Sequence, residues 1–600
     1  MNVLGLSFDY HDAAAALVVD GSPVAAAPEE RFSRLKHDRR LPVRSIAFCL
    51  ELAGLKAGDL DAVVFYEKPF RKLTRILAGA VSTFPSSGAL FRRAMGAWVD
   101  ERLWVGPRIE SALGIAPEKI LYCEHHLSHA ASAFLCSPYD DAATLTVDGV
   151  GEWATAAIGR GRRGGPGAAF DLSLDVELRY PHSLGLLYSA FTAYLGFEVN
   201  EGEYKVMGLA PYGAPRYADE IRKMIEPFAD GSFRLDLDWF AFQRDPARSF
   251  SKRFEDAFGP SRAPGSGDPA GDKRLCDVAA SIQLVCEELM LGLAREARRR
   301  TGSQHLCLAG GVALNAVSNA RLLRESGFES IWIQPASGDA GGALGAALYA
   351  AHALGANPAR YEMKSVALGP EHSDADASSA LKAAGLPFVE LRGEDELCDR
   401  VSGLLADGKV VGWHQGRSEW GPRSLGQRSI LADPRPAGMK DTVNAKIKFR
   451  EMYRPFAPSI CADAAAEWFD LPAGAAPDPY RFMLATAKTR EDRRDRLAAV
   501  THVDGSSRVQ TIDPAQSPLF HRLAQTLGRR TGVPATLNTS FNLKGEPIVE
   551  TPADAVSTFL SSGMDALAVG PFLTTGRPEN PQPRRETCAS SETRSDGLGW

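Results

Sequence analysis

The sequence has no CxxC pair, no long apolar run and no excess of basic charge, and each absence removes a class of protein. Its nine cysteines are odd in number and follow neither a metal-knuckle nor a disulfide-framework spacing. A reducing, cytoplasmic setting is therefore expected. The first stretch, MNVLGLSFDYHDAAAALVVDG, lacks a basic segment and meets Asp9, His11 and Asp12 before any apolar run of signal-peptide or membrane-span length, so it reads as strand and loop. A formal charge of −6 provides no field for nucleic acid or an anionic membrane, and neither partner is expected. Any phosphate site has to be local. Compositional bias is missing too: 44% hydrophobic and 24% charged residues suit a folded protein, and 600 residues exceed one core, so two to four domains are expected.

What is present begins with a weak internal repeat. LGLSFDYHDAAAALVVDG and ATLTVDGVGEWATAAIGRG each run an apolar strand into an aspartate (Asp9, Asp148), a short polar loop and a small-residue strand. Such a repeat suggests a duplicated α/β domain whose halves face one cleft, although short matches of this kind also arise by chance. The α/β pattern runs through residues 1–355. A helical elaboration is predicted at about 65–120, and a Gly- and Pro-rich surface excursion at about 230–275. Residues 356–395 read as a connection, residues 396–576 as a second, Arg-rich α/β domain, and residues 577–600 as a polar, Pro-rich disordered tail.

The chemistry-bearing residues fall in both halves. In EHHLSHAASAF, His125 and His129 are four apart and share one helix face, with His126 turned elsewhere. Such a pair by itself is more often a polar helix end. Two strand-end carboxylates, Asp148 and Asp339, would make it a mixed nitrogen and oxygen site for iron, manganese or zinc. AGGVALN (Gly310, Gly311, Asn315) and GDAGGALGAA (Gly341) are glycine turns ahead of helices, suited to a nucleotide or to tight packing. NEGEYKVMGLAPYG is too apolar for a solvated loop and reads as a cleft lining, with Lys205 available to an anion.

Beyond Gly408, Arg423, Arg428, Lys448, Arg454 and Arg508 are interleaved with Gly, Pro and aromatic residues in an acidic chain. That pattern suggests a pocket for a small polyanion, against solvated surface as the plain alternative. Asn538 and Ser540 add uncharged donors suited to an amide or carbamoyl group.

Taken in order, HHLSHAASAF, EGEYKVMGLAPYG, GGVALN, SGDAGGALGAAL, WGPRSLGQRSILADPR, REMYRPFAPS, HVDGSSRVQT and LNTSFNLKGEPIV make the chain resemble the NodU/CmcH-type O-carbamoyltransferases. The resemblance covers about Met1 to Arg577. It implies an actin-like ATPase N-terminal domain and a C-terminal α/β domain similar to threonylcarbamoyl-AMP synthase (YrdC-like). It further implies that ATP, with Mg2+, and carbamoyl phosphate form carbamoyl-adenylate in the C-terminal domain, and that the N-terminal domain moves the carbamoyl group to a hydroxyl of an antibiotic-type metabolite.

By the same resemblance His125, His129, Asp148 and Asp339 hold Fe2+. Gly310, Gly311, Gly341 and Asn315 lie by the adenylate. Arg423, Arg428, Lys448, Arg454, Arg508 and Lys205 meet phosphates, and Asn538 and Ser540 the carbamoyl end. His11 is the candidate base for the acceptor hydroxyl, and Lys36 and His37 orient the carbamoyl group or the acceptor. Threonylcarbamoyl transfer to tRNA and a non-catalytic nucleotide-binding scaffold are the rival readings; the acidic balance disfavours the first. The identity of the acceptor and the oligomeric state stay open.

Overall fold

The computed structural model describes residues 1–577 apart from 165–169, 246–247, 356–360 and 473–478. Near the N-terminus, β1 (Asn2–Ser7), β2 (Ala14–Val19) and β3 (Ser22–Pro28) form an antiparallel meander, and β4 (Ala62–Phe65) and β5 (Ile120–Tyr122) extend it in parallel from β1. A second sheet repeats this plan. There β6 (Asp141–Val147), β7 (Ala154–Arg163) and β8 (Phe170–Arg179) are the meander, and β9 (His305–Ala309) and β10 (Ser330–Ile333) add in parallel from β6. The strand orders 3-2-1-4-5 and 8-7-6-9-10 are the same path, so the repeat seen around Asp9 and Asp148 is a duplication of the whole unit. The mixed α/β, actin-like class expected of this half holds.

Both sheets share one core, with Leu4, Val64, Leu145 and Leu308 fully buried. The parallel strands read as continuous apolar runs because helices cover both of their faces. The expected helical elaboration separates β4 from β5, as helices Pro69–Ser82, Gly88–Asp100 and Val105–Leu113.

Two helices bring the ends of these strands together. Helix Asp339–Ala353 packs along helix His125–Phe134, and its small residues permit the approach: a Cβ at Gly345 would lie 1.8 Å from the Ser128 carbonyl oxygen. A side chain there would push the helices apart and separate Asp339 from the histidines.

The C-terminal body is an eight-stranded mixed sheet that includes Val411–His414, Arg428–Ala432, Ala457–Cys461 and Ala535–Ser540. It starts earlier than the expected residue 396. Helix Asp374–Ala383 places Ala377 and Leu381 in its core, and Val389–Glu390 pairs with Phe572–Thr574 at the sheet edge. Met363, Val366 and Leu368 pack instead on the N-terminal core, where the Ala26 amide donates to the Leu368 carbonyl. The predicted connection is thus divided between the two bodies near Pro370, because its apolar residues follow the phase of one core and then the other.

The expected tail lies outside the described residues except for Arg577, whose guanidinium donates to the carbonyls of Phe559, Leu560, Ser562 and Met564. Among the described residues no helix is long and apolar enough to cross a membrane.

Candidate active site

His125 and His129 lie on one face of their helix, and Asp148 and Asp339 come to them from the ends of β6 and of the loop after β10. One ligand atom from each of the four lies within 4.8 Å of the others. The two Nε2 atoms are 3.2 Å apart, and Asp148 Oδ2 is 3.2 Å from His125 Nε2 and 3.0 Å from His129 Nε2. Asp339 Oδ1 is 3.7 Å from both.

His125 and His129 are 3% and 0% exposed. Burial works against a charge on His125, but Asp148, Glu67 and Asp339 outweigh it and push the imidazole up to about 10. Asp148 is held well below the usual carboxylate range by the two histidines, although burial opposes its charge. The Tyr66 hydroxyl donates to Asp339 Oδ2 and fixes that carboxylate from behind. His126 points away, to the Thr146 hydroxyl and the Ala154 carbonyl, and burial and its two histidine neighbours push it down to about 3, the neutral form.

Four buried donors converging this closely, nitrogen and oxygen together, fit a divalent transition ion: a single cation would replace the two protons that the carboxylates hold on the imidazoles.

Asp148 and Asp339 face a cavity of about 1000 Å³ that both bodies line. On the N-terminal wall, His11 and His37 each place Nδ1 on one oxygen of Asp12, at 2.9 and 2.7 Å. Asp9, Asp12 and His37 all have left-handed backbones, a strain that the surrounding turn has to maintain. Burial disfavours a charge on His11, but Asp12, with Asp339 and Asp148 beyond it, pushes the imidazole up to about 9. Lys36 pairs with Glu201. Asp12 and Glu201 were not singled out as site residues, whereas His37 was expected beside Lys36. The adjacency of Asp12 to His11 in DYHD was the one local hint, and it reads equally as a turn bond.

The C-terminal wall is cationic. Lys448, at the end of a π-helical turn (Asn444–Lys448), donates to the Ser540 and Asn542 carbonyls at 2.6 and 3.0 Å and to Asn542 Oδ1 at 2.7 Å. Burial, Arg450 and Arg454 hold its amine well below the usual lysine range. Arg508 is lowered for the same reason, by burial and then by Arg423, Arg450 and Arg454. Burial pushes Arg423 down to about 10. The Nε atoms of Arg423 and Arg508 are buried without a hydrogen-bond partner. Arg454 lies over the Tyr204 ring at 4.5 Å. Arg450, in the same Arg-rich stretch, lines the cavity as well. Repelling cations with unused donors, enclosed in protein, constitute a site for a polyanion.

Lys205, Gly311, Asn315, Asn538 and Ser540 also line this cavity. Asn538 donates to the Ser424 carbonyl, Ser459 and Gln510, and its Oδ1 is unpartnered. Lys205 is 3.5 Å from Glu451.

Besides His125 and His129, three expected residues are not on the cavity wall. Arg428 is 0% exposed and donates to the carbonyls of Gln415, Gly416 and Glu550 beside the Glu550 carboxylate; it lies in a strand and points into the sheet's packing, whereas Arg423 precedes that strand in a loop. Gly310 has φ +91°, and a Cβ there would meet the Val147 carbonyl oxygen at 2.3 Å, so it closes the β6 and β9 ends. A Cβ on Gly341 would lie 1.9 Å from the Ala336 carbonyl oxygen, inside its own turn. These positions serve packing.

A buried four-donor cluster and a strongly cationic wall share one cavity, an arrangement suited to a transferase. The family descriptions that match are "Carbamoyltransferase N-terminus" over residues 2–348 and "Carbamoyltransferase C-terminus" over residues 402–575. The chain belongs to this carbamoyltransferase family. It is 43% identical to an uncharacterized protein of Synechocystis over 98% of each chain. It is 40% identical to nodulation protein NolNO of Sinorhizobium fredii, covering 95% of this chain and 80% of that one. Nodulation protein U of Rhizobium tropici is 30% identical, covering 91% of each.

Proposed function

We propose that this carbamoyltransferase is ATP-dependent and divides its chemistry between the two walls of the cavity. At the cationic wall of the YrdC-like C-terminal body, one water cleaves carbamoyl phosphate to carbamate and phosphate, and the carbamate oxygen displaces pyrophosphate from the α-phosphorus of ATP to give carbamoyl-adenylate. Lys448, Arg423, Arg454 and Arg508 neutralise the phosphates, and the open Oδ1 of Asn538 accepts from the carbamoyl amide. At the opposite wall the carbamoyl group passes to a hydroxyl of a small metabolite and AMP leaves.

The supporting observation is that Asp148, Asp339 and His11 line the same cavity as Lys448 and Arg508. A mixed anhydride made there has only the width of one cavity to cross before it meets the acceptor.

His125, His129, Asp148 and Asp339 would hold a divalent ion, Fe2+ by family resemblance, which when bound supplies a Lewis acid for a carbonyl or phosphoryl oxygen. Asp12 holds His11 through Nδ1, which leaves Nε2 to take the acceptor's proton. Gly311 lets the adenylate approach the wall near Asp148, and Asn315 caps the helix beyond it, with its Oδ1 accepting from the Ser318 amide. Lys36, turned toward Glu201, orients the acceptor.

Incubation with Mg-ATP and carbamoyl phosphate tests the reading directly. Pyrophosphate release that requires both compounds is expected, and release from ATP alone, or none, contradicts it. Screening hydroxylated sugars and macrolactams by mass for a gain of one carbamoyl then identifies the acceptor.

A further inference from the structure

Arg75 lies in helix Pro69–Ser82 of the elaboration between β4 and β5, and it is 1% exposed. None of its three guanidinium nitrogens has a hydrogen-bond partner. Its guanidinium lies over the Tyr180 ring, 5.1 Å from the centroid. Ring stacking satisfies the face of the cation and leaves its in-plane N–H donors unused. Glu67, the carboxylate that acts on it, is already bound to Lys72, with both oxygens 3.0 Å from Nζ. A charged group enclosed without a counter-charge is among the costliest arrangements in a folded protein, so a buried, unpaired arginine points to a partner that is not part of the chain.

There is space for one. A separate cavity of about 30 Å³ with mostly apolar walls lies against Arg75, Gly79, Phe91, Ala94, Tyr180 and Gln243. A single water needs roughly 10–15 Å³ of such space, so the cavity admits a formate- or halide-sized ion and excludes a nucleotide or a sugar. On helix Gly88–Asp100, one turn beyond Ala94, the buried indole N–H of Trp98 also lacks an acceptor.

We propose that Arg75 anchors a binding site for a small monovalent anion of carboxylate or halide size, set in the helical elaboration beside the carbamoyl-transfer cavity. The ion is either free in solution or a carboxylate carried by the acceptor.

The test uses the full-length, metal-supplied protein. Sodium formate is titrated at constant ionic strength against sodium citrate, which is too large to enter. A saturable rise in melting temperature is expected for the wild type and for Arg75→Lys, and none for Arg75→Met. The same response in wild type and Arg75→Met, or no response in either, overturns the proposal. Should Arg75→Met not fold, wild-type crystals soaked in bromide decide: an anomalous peak in contact with the Arg75 guanidinium supports the site, and its absence overturns it. Carbamoylation of glycolate against ethylene glycol separates the two sources. A preference for glycolate that Arg75→Lys weakens places the anion on the acceptor, and a saturable formate shift without that preference places it in solution.

Discussion

The two walls of the main cavity are built on opposite electrostatic plans. On the N-terminal wall, carboxylates and imidazoles are already matched to one another: Asp148 lies between two histidines, and Asp12 between two more. On the C-terminal wall, Lys448 is buried and Arg423, Arg450, Arg454 and Arg508 are half-buried among like charges, with Glu451 the carboxylate beside Arg454. The first wall is poised to exchange protons for a cation. The second is frustrated until a polyanion arrives, so its ligand should stabilise the fold much more than a neutral one would. In the proposed function, this contrast assigns activation of a phosphate-rich donor to one end of the cavity and deprotonation of a hydroxyl to the other.

The largest effect expected from breaking this contrast is at Lys448. Lys448→Ala should lower pyrophosphate release by at least about 10³-fold, the scale for a group that stabilises transition-state charge, checked with a coupled pyrophosphate assay. His129→Ala should leave that release near the wild-type rate and lower transfer to an acceptor by at least about 10²-fold. Equal transfer in wild type and variant would remove the cation site from the account.

A pH profile sharpens the comparison on the N-terminal side. Because His11 is raised to about 9, a base at this position is mostly protonated at neutral pH. Transfer should therefore climb with pH and level off near 9, while pyrophosphate release lacks that limb. The same shift stabilises the fold below the ordinary histidine value, and this stabilisation is lost as pH rises through about 9.

Lys448 works with the opposite sign. Its folded-state value lies below 10.5, so between the two values the unfolded chain binds more protons and stability rises with pH. Urea unfolding in wild type and Lys448→Met should show this slope in the first only. The smallest effect is thermal. Arg508→Met should raise the melting temperature of the ligand-free protein by about 2 °C or more and weaken the further rise caused by pyrophosphate.

Much of this organisation was legible from residue order. An i, i+4 histidine pair and two aspartates at strand ends carry their geometry in the sequence, because helix period and strand-end placement fix where such side chains go. The duplication was visible as two strand–Asp–strand units, and the topology now extends it to all ten strands. Arg428 was misjudged because motif proximity does not say whether a side chain lies in a loop or in a buried strand. Gly310 and Gly341 lie off the cavity wall, and a glycine that admits a ligand looks the same in sequence as one that admits a neighbouring carbonyl. Asp12 and Glu201 depend on contacts over 25 to 165 residues, and Arg75 depends on a cavity bordered by four separate segments. Periodicity carries no record of either.

The central claim, that the two walls catalyse separable steps, is tested most directly by stripping the protein of tightly bound transition metal, restoring Mg2+, and measuring pyrophosphate release and carbamoyl transfer on the same sample. Intact release with transfer lost, and transfer regained on adding Fe2+, is the predicted result. Release and transfer failing together, or both surviving, would contradict it.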